Sequence, residues 1–194
     1  MRALSYVLLG LVGAAVMLAG AGVAYLKSTG LSTRGDPGRI EAMIARTART
    51  MAIPASARAQ QNPIPASSDV IAEGMAHYAD HCATCHANDG SGQTEMGQGL
   101  YPKAPDMRLS ATQDMSDGEL FYVIEHGIRF TGMPGWRTGT AAGEESSWHL
   151  VHFIRRLPNL TSVELDAMKE RNPRSPAEIR LELEEERFLN EGAP

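Results

Sequence analysis

The stretch "DHCATCHANDGSG", residues 80–92, holds both cysteines of a 194-residue chain, Cys82 and Cys85, with His86 directly behind. Two thiols and an imidazole in one turn suit a dithiol redox pair, a metal site or a covalently attached porphyrin. A thioredoxin-like dithiol belongs near a βαβ pattern, which is absent here. A structural zinc site normally takes four ligands in separated pairs. No second cysteine pair exists, so His77, His81 and His126 would have to improvise one. Cys-x-x-Cys-His is the spacing of c-type haem attachment. Thiols three residues apart sit on successive sides of one helical turn, so each can add to one vinyl group of a single porphyrin. His86 then projects toward the iron from the same segment. Glycines at 90, 92, 97 and 99 would let the backbone approach a flat cofactor closely. The expectation is one covalently bound haem c with His86 as an axial ligand.

A sixth ligand has to come from far along the chain, because the polypeptide must travel round the ring to reach its other face. Met133, in the Gly/Pro loop "GIRFTGMPGW", is the best candidate among ten methionines. Most of the others are expected to fill gaps in the core or the membrane segment. Met96 is too close to His86, Met107 and Met115 are further options, and His126 is the rival that would give a bis-histidine iron.

The elements that must position these residues are helical. "SSDVIAEGMAHYADHC" has a Ser or Asp cap followed by Val70, Ile71, Gly74, Met75 and Tyr78 at helical spacing. "SDGELFYVIEHGI" opens on a capping box, Ser116 with Glu119. "ESSWHLVHFIRRLPNL" is a third helix, stopped at Pro158. Nothing shows sustained period-two alternation, so the domain is expected to be small and all-α. Thr161 with Glu164, and Ser175 with Glu178 behind Pro176, predict two tail helices. The second is acidic, and reads either as a solvated helix or as a docking arm for a basic partner.

From Ala3 to Leu26 no residue is charged and nearly all are apolar, long enough for a hydrocarbon core of about 30 Å. A cleaved signal peptide is the competing reading, with "AGA" at residues 19–21 as a cleavage-like site. Length, Gly/Ala content and Tyr25 near one end favour a retained span. Beyond it, Asp36 and Pro37 suggest a helix start. "RIEAMIARTARTM" follows, with Ile40, Met43, Ile44, Thr47 and Met51 on one side and arginines mostly elsewhere. That suits a lipid surface, a partner subunit or a plain spacer. Three prolines among small polar residues then read as a linker. The expected organisation is a cytoplasmic stub over 1–5, an anchor over 6–26 and a linker with a basic amphipathic helix over 27–67. A monohaem domain over 68–160 and an acidic helical tail over 161–194 complete it. Were 27–67 fully flexible, its roughly 40 residues would span about 35 Å.

Net charge is +5 over residues 1–67, −6 over 68–160 and −4 over 161–194. The acidic part predicts a redox partner with a basic docking face, and no basic patch suggests nucleic-acid binding. The positive-inside rule sets orientation poorly, with Arg2 on one side and Lys27, Arg34 and Arg39 on the other.

"ADHCATCHANDGSG", "GLYPKAPDM", "FYVIEHGIRFTGMPGW" and "WHLVHFIRRL", in this order, resemble class I cytochrome c in its bacterial membrane-anchored monohaem form. The resemblance covers residues 68 to about 158. It implies thioether links at Cys82 and Cys85, His86 proximal and Met133 distal, and Gly74 and Tyr78 crossing the last domain helix near Leu150 and Phe153. A proline carbonyl, Pro102 or Pro105, would accept the free ring N–H of His86. Tyr101, Arg129 and Trp136 are candidates to bond the haem propionates. It also implies maturation outside the cytoplasmic membrane, which would place the haem domain in the periplasm. A single-electron carrier is the expected function, and not an enzyme. The alternatives are a fixed subunit of a larger membrane complex and, if Met133 does not bind, a haem peroxidase or gas sensor.

Overall fold

The computed structural model describes residues 2–30, 32–174 and 176–191. The chain forms two compact units, Met1–Gly35 and Asp36–Pro194. The first is one helix, α1 (Arg2–Thr29). Its 25-residue stretch Leu4–Ser28 contains an 18-residue window of mean hydropathy 2.3, none of it buried. At about 1.5 Å per residue this exceeds the roughly 30 Å of a hydrocarbon core.

The second unit runs α2 (Arg39–Ala52), α3 (Ala55–Arg58), α4 (Ser68–His77), a π-helical turn (Tyr78–Cys82) and α5 (Ala83–His86). Then come α6 (Glu95–Gly99), α7 (Ser110–Gln113), α8 (Asp117–His126) and α9 (Ala141–Arg156). A 3-10 turn (Leu157–Asn159), α10 (Ser162–Lys169) and α11 (Pro176–Glu191) complete it. No strand occurs among the described residues, in keeping with the missing period-two pattern.

Caps set the starts of the central helices. The Ser67 hydroxyl accepts from Val70 N–H at 3.2 Å and starts α4. Ser116 and Glu119 form the expected reciprocal box, at 3.2 and 2.8 Å, and start α8. Thr140 caps α9 by accepting from Gly143 N–H at 3.2 Å, so that helix begins a turn earlier than its apolar pattern suggested. The start of α2 differs from expectation. Gly38 occupies its cap position with no side-chain bond, and Asp36 instead pairs with Lys103 Nζ at 2.9 Å.

The core is the crossing of α4 and the π-turn over α9. Tyr78, Leu150, Val151 and Phe153 are buried there. Gly74 permits the crossing, since a Cβ at that position would fall against the His149 carbonyl and 3.0 Å from Phe153 Cβ. The Tyr78 and Phe153 rings lie 5.0 Å apart. On the far side of α9, Trp148 stacks on Phe121 of α8 at 4.0 Å.

Two stretches read as peripheral are packed on this core. Ile53 is buried, and Ser116 Oγ donates to the Arg58 carbonyl at 2.9 Å. Asn62 Nδ2 donates to the Trp148 carbonyl at 3.0 Å, and His152 Nε2 lies 2.7 Å from the Ile64 carbonyl. The Pro-rich segment is therefore a strap from Ile53 to Ile64, and the 35 Å expected of a fully flexible tether does not apply. Polar residues with long-range partners look like linker in sequence, which is why the strap is invisible there.

The tail's first helix, α10, is also packed, through Met168, which is wholly buried. Its Thr161–Glu164 capping box forms, and Glu164 also takes Arg156 Nε at 3.0 Å. The Arg156 guanidinium beside Glu164, with bonds from Thr161, holds that carboxyl down at about 2, against an ordinary value near 4.5. A depressed carboxylate stabilises the fold above its unfolded value and loses that effect as pH falls through its folded one. Amide protection in α10 is therefore expected to fall between about pH 4.5 and 2 in the wild type. In Glu164→Gln it should start low and stay flat, the effect being small for a solvent-screened pair. The second tail capping pattern begins at Ser175, outside the described residues. α11 leaves Ile179, Leu181, Leu183, Phe188 and Leu189 exposed, and Arg174 pairs with Glu182.

Candidate functional site

The Cys-x-x-Cys-His segment lies where the π-turn passes into α5. Cys82 is the last residue of the turn, and Cys85 and His86 end α5. A helix that stops here leaves carbonyls without helical partners, and each must be met from outside. Thr94 Oγ1 donates to the Cys85 carbonyl at 3.1 Å, Gly92 N–H to His86 at 2.8 Å, and Tyr78 OH to Ala87 at 3.0 Å. Burial pushes the Tyr78 phenol well up, so it stays a donor. Nothing in the sequence marks Thr94 as special, because its partner lies nine residues back across a loop.

The two cysteines form no disulfide with each other. Burial raises Cys82 to about 12 and also raises Cys85, so neither has the lowered pKa of a reactive dithiol. No group of three or more His, Cys, Asp or Glu side chains suited to a metal ion forms among the described residues. His77 and His81 meet edge to face at 4.9 Å, away from His126, which is exposed and stacks on Tyr122 at 4.2 Å.

His86 has the properties of a ligand. Burial lowers its pKa, with the Pro105 carbonyl pulling the other way, so the ring is neutral at pH 7. Its Nδ1 is buried without a partner inside hydrogen-bonding distance. A ring nitrogen held out of water beside a carbonyl acceptor fits a histidine whose other nitrogen goes to a metal. Of the two proline carbonyls considered, that of Pro105 is the one that raises the His86 pKa against burial.

The loop bearing Pro105 is braced from both sides. Arg108 grips Asp106 through two bonds, at 2.9 and 2.7 Å, and reaches Asp89 at 2.9 Å. Gly92 has φ +70, and a Cβ there would strike the Ala104 carbonyl and lie 3.1 Å from that of Pro105. Three of the four glycines expected to admit a cofactor thus admit the chain itself: Gly97 abuts the Cys85 carbonyl and Gly90 the Leu157 side chain, while Gly99 faces open space. Gly92→Ala should destabilise the domain by about 1–3 kcal/mol through strain and overpacking. Urea titration checks the stability, and the ring-nitrogen NMR shift of His86 should move with it.

Met133 lies in a loop built by its own backbone. Ile128 N–H donates to the Met133 carbonyl at 3.0 Å, and Met133 N–H to Thr131 Oγ1 at 3.1 Å. Trp136 N–H reaches back to the Ile124 carbonyl at 2.9 Å. A Cβ on Gly132 would lie 2.5 Å from Leu100, so this loop touches the one leading to Pro105. Trp136 is half-buried, its ring and that of His81 meeting edge to face at 5.3 Å, and Arg129 is exposed. Tyr101 donates to Glu41 Oε1 at 2.6 Å, a partner on α2 and not a group at the site. Sequence reasoning missed the buried Glu125, which accepts from Ser147 Oγ at 2.6 Å and joins α8 to α9 beneath the Met133 loop.

A family model described as cytochrome c oxidase, cbb3-type, subunit III matches residues 69–154. No curated protein matches the chain. The match spans α4 to α9 and includes the two cysteines and the half-buried His86. The match supports a c-type cytochrome domain over residues 69–154; that family binds haem c, and Cys82 and Cys85 are in position for its attachment.

Proposed function

We propose that this protein is a membrane-tethered monohaem cytochrome c that carries single electrons between redox partners on the periplasmic side of a bacterial cytoplasmic membrane. The observation that carries it is the buried, unpartnered Nδ1 of a neutral His86 at the end of the two-cysteine turn. Cys82 and Cys85 would hold the porphyrin, with His86 and Met133 as axial ligands. When bound, haem iron supplies a reversible one-electron couple that a thioether ligand shifts toward the ferrous state. The chain's part is to hold, orient and desolvate. The Pro105 carbonyl beside the His86 ring would orient it, Arg108 braces the loop around it, and the backbone-bonded loop would present Met133. Trp136, Arg129 and Tyr101 remain candidates for the propionates. Tyr101 would have to share its hydroxyl with Glu41.

Membrane tethering rests on the 25-residue apolar helix and on its continuity with an acidic haem domain that needs export for maturation. The haem domain is read as periplasmic for the same reason. Intact mass of the protein extracted from membranes should include residues 1–26; a mass lacking them makes the carrier soluble. Haem staining on a denaturing gel tests the covalent link, and its loss overturns the assignment. The acidic surface should favour a basic partner. The electron-transfer rate with a basic redox protein is expected to fall tenfold or more as salt rises, within the roughly 10–1,000-fold range of electrostatic steering. A flat salt profile would remove charge from the docking.

The family description names an oxidase subunit, which favours a second reading as a fixed subunit of a larger membrane complex. Co-purification of stoichiometric partners in mild detergent would select it over a free carrier.

A further inference from the structure

We propose that α2 is a membrane-surface helix: its apolar stripe lies among the headgroups of an anionic bilayer, and its bonds to the haem domain fix how that domain is presented to the membrane. This rests on α1 being a retained span, and it replaces a loose tether by an oriented mount.

The helix has no buried residue. Ile40, Met43, Ile44 and Met51 are 71%, 60%, 60% and 77% exposed. At about 100° per residue they fall within one arc of roughly 100°. Thr47 lies inside that arc, but its hydroxyl donates to the Met43 carbonyl at 2.9 Å, so the stripe presents little free polar surface. Arg39 and Arg46 border the stripe, in the position where guanidinium groups reach headgroup phosphates while their stems lie on the apolar layer. The opposite side serves the domain. Ala42 and Arg49 are half-buried there, Glu41 takes the Tyr101 hydroxyl at 2.6 Å, and Asp36, just ahead of the helix, takes Lys103 Nζ at 2.9 Å.

Chain length supplies the occupant. Only nine residues, 30–38, separate the end of α1 from the start of α2. Fully extended they reach about 30 Å, which is the furthest α2 can begin from the end of the span and leaves a bilayer surface within its range. A soluble spacer has no need of four large apolar side chains in one stripe with arginine along its border. A bilayer with anionic lipid matches both features.

The test uses the full-length holoprotein in nanodiscs of phosphatidylcholine with or without phosphatidylglycerol. Cys82 and Cys85 are then held in thioethers, so one introduced cysteine carries a nitroxide label. In anionic discs a label at Ile44→Cys should be reached by oxygen and shielded from a water-soluble nickel chelate, while Ala45→Cys should be open to the chelate. Arg39→Gln with Arg46→Gln should lower the surface-bound equilibrium about 25-fold, roughly fivefold for each arginine. Equal chelate access at both positions would make α2 a solvated spacer and overturn the proposal. So would an Ile44 label shielded from both reagents whatever the lipid, which would mean a protein contact. Loss of the protein from the discs with a mass lacking α1 would overturn the span itself, and this proposal with it.

Discussion

Replacing Met133 by alanine is expected to abolish the weak near-infrared sulfur-to-iron absorption of the oxidised protein. It should also lower the reduction potential on the order of 0.2 V, a fraction of the roughly 0.8 V that axial ligands cover. The loop should survive the change. Its bonds from Ile128 N–H to the Met133 carbonyl and from Met133 N–H to Thr131 Oγ1 belong to backbone and threonine, and alanine keeps both. The loss is therefore confined to the thioether, and the vacated position should accept a small added ligand such as imidazole. Two controls sharpen the result. Met96 is 55% exposed, so Met96→Ala should leave the spectrum unchanged. His126 is stacked on Tyr122, its Nδ1 3.0 Å from the Tyr122 carbonyl, so His126→Ala should keep the band as well. A band that persists in Met133→Ala would move the sixth ligand elsewhere. A wild type with no band would reopen the peroxidase and gas-sensor readings.

What the sequence reveals and hides follows from the range of each interaction. Helices α4, α8 and α9 are legible because caps and 3.6-residue apolar spacing are local signals. The paired thiols and His86 are legible for the same reason, since covalent geometry confines them to one turn. The strap from Ile53 to Ile64 is hidden, because Asn62 and His152 act across 86 and 88 residues and carry no pattern of their own. The tail misleads in the opposite way. Met168 is one apolar residue in an acidic context, yet it is wholly buried and draws α10 into the domain. The glycine loops are half legible. Their need for close approach is plain from composition, but only the fold shows that Gly92 approaches the Ala104 and Pro105 carbonyls. Tyr101 is where a family resemblance says least about the individual chain. Its hydroxyl is bonded to Glu41 of α2, an element outside the matched residues.

Phe153→Ala should cost the haem domain about 3–5 kcal/mol, the usual penalty for deleting a wholly buried phenylalanine. Small domains hold only about 5–15 kcal/mol in all, so this variant approaches the edge of folding. The effect should not be confined to stability. Phe153 is wholly buried against Tyr78, ring to ring at 5.0 Å, and Tyr78 OH holds the Ala87 carbonyl directly behind His86. A cavity beside the tyrosine loosens the bond that ties the start of the π-turn to the residue behind His86. Tyr78→Phe separates the two contributions. It keeps the packing and removes the hydroxyl, leaving the Ala87 carbonyl without its donor at a cost of about 1–3 kcal/mol. Urea titration of the full-length holoprotein in mild detergent, followed through tryptophan emission that the haem quenches until unfolding, measures both. The expected order is wild type, then Tyr78→Phe, then Phe153→Ala. Phe153→Ala losing less than about 1 kcal/mol would mean that the α4–α9 crossing does not carry the domain, and that the turn bearing His86 is held by its loops alone.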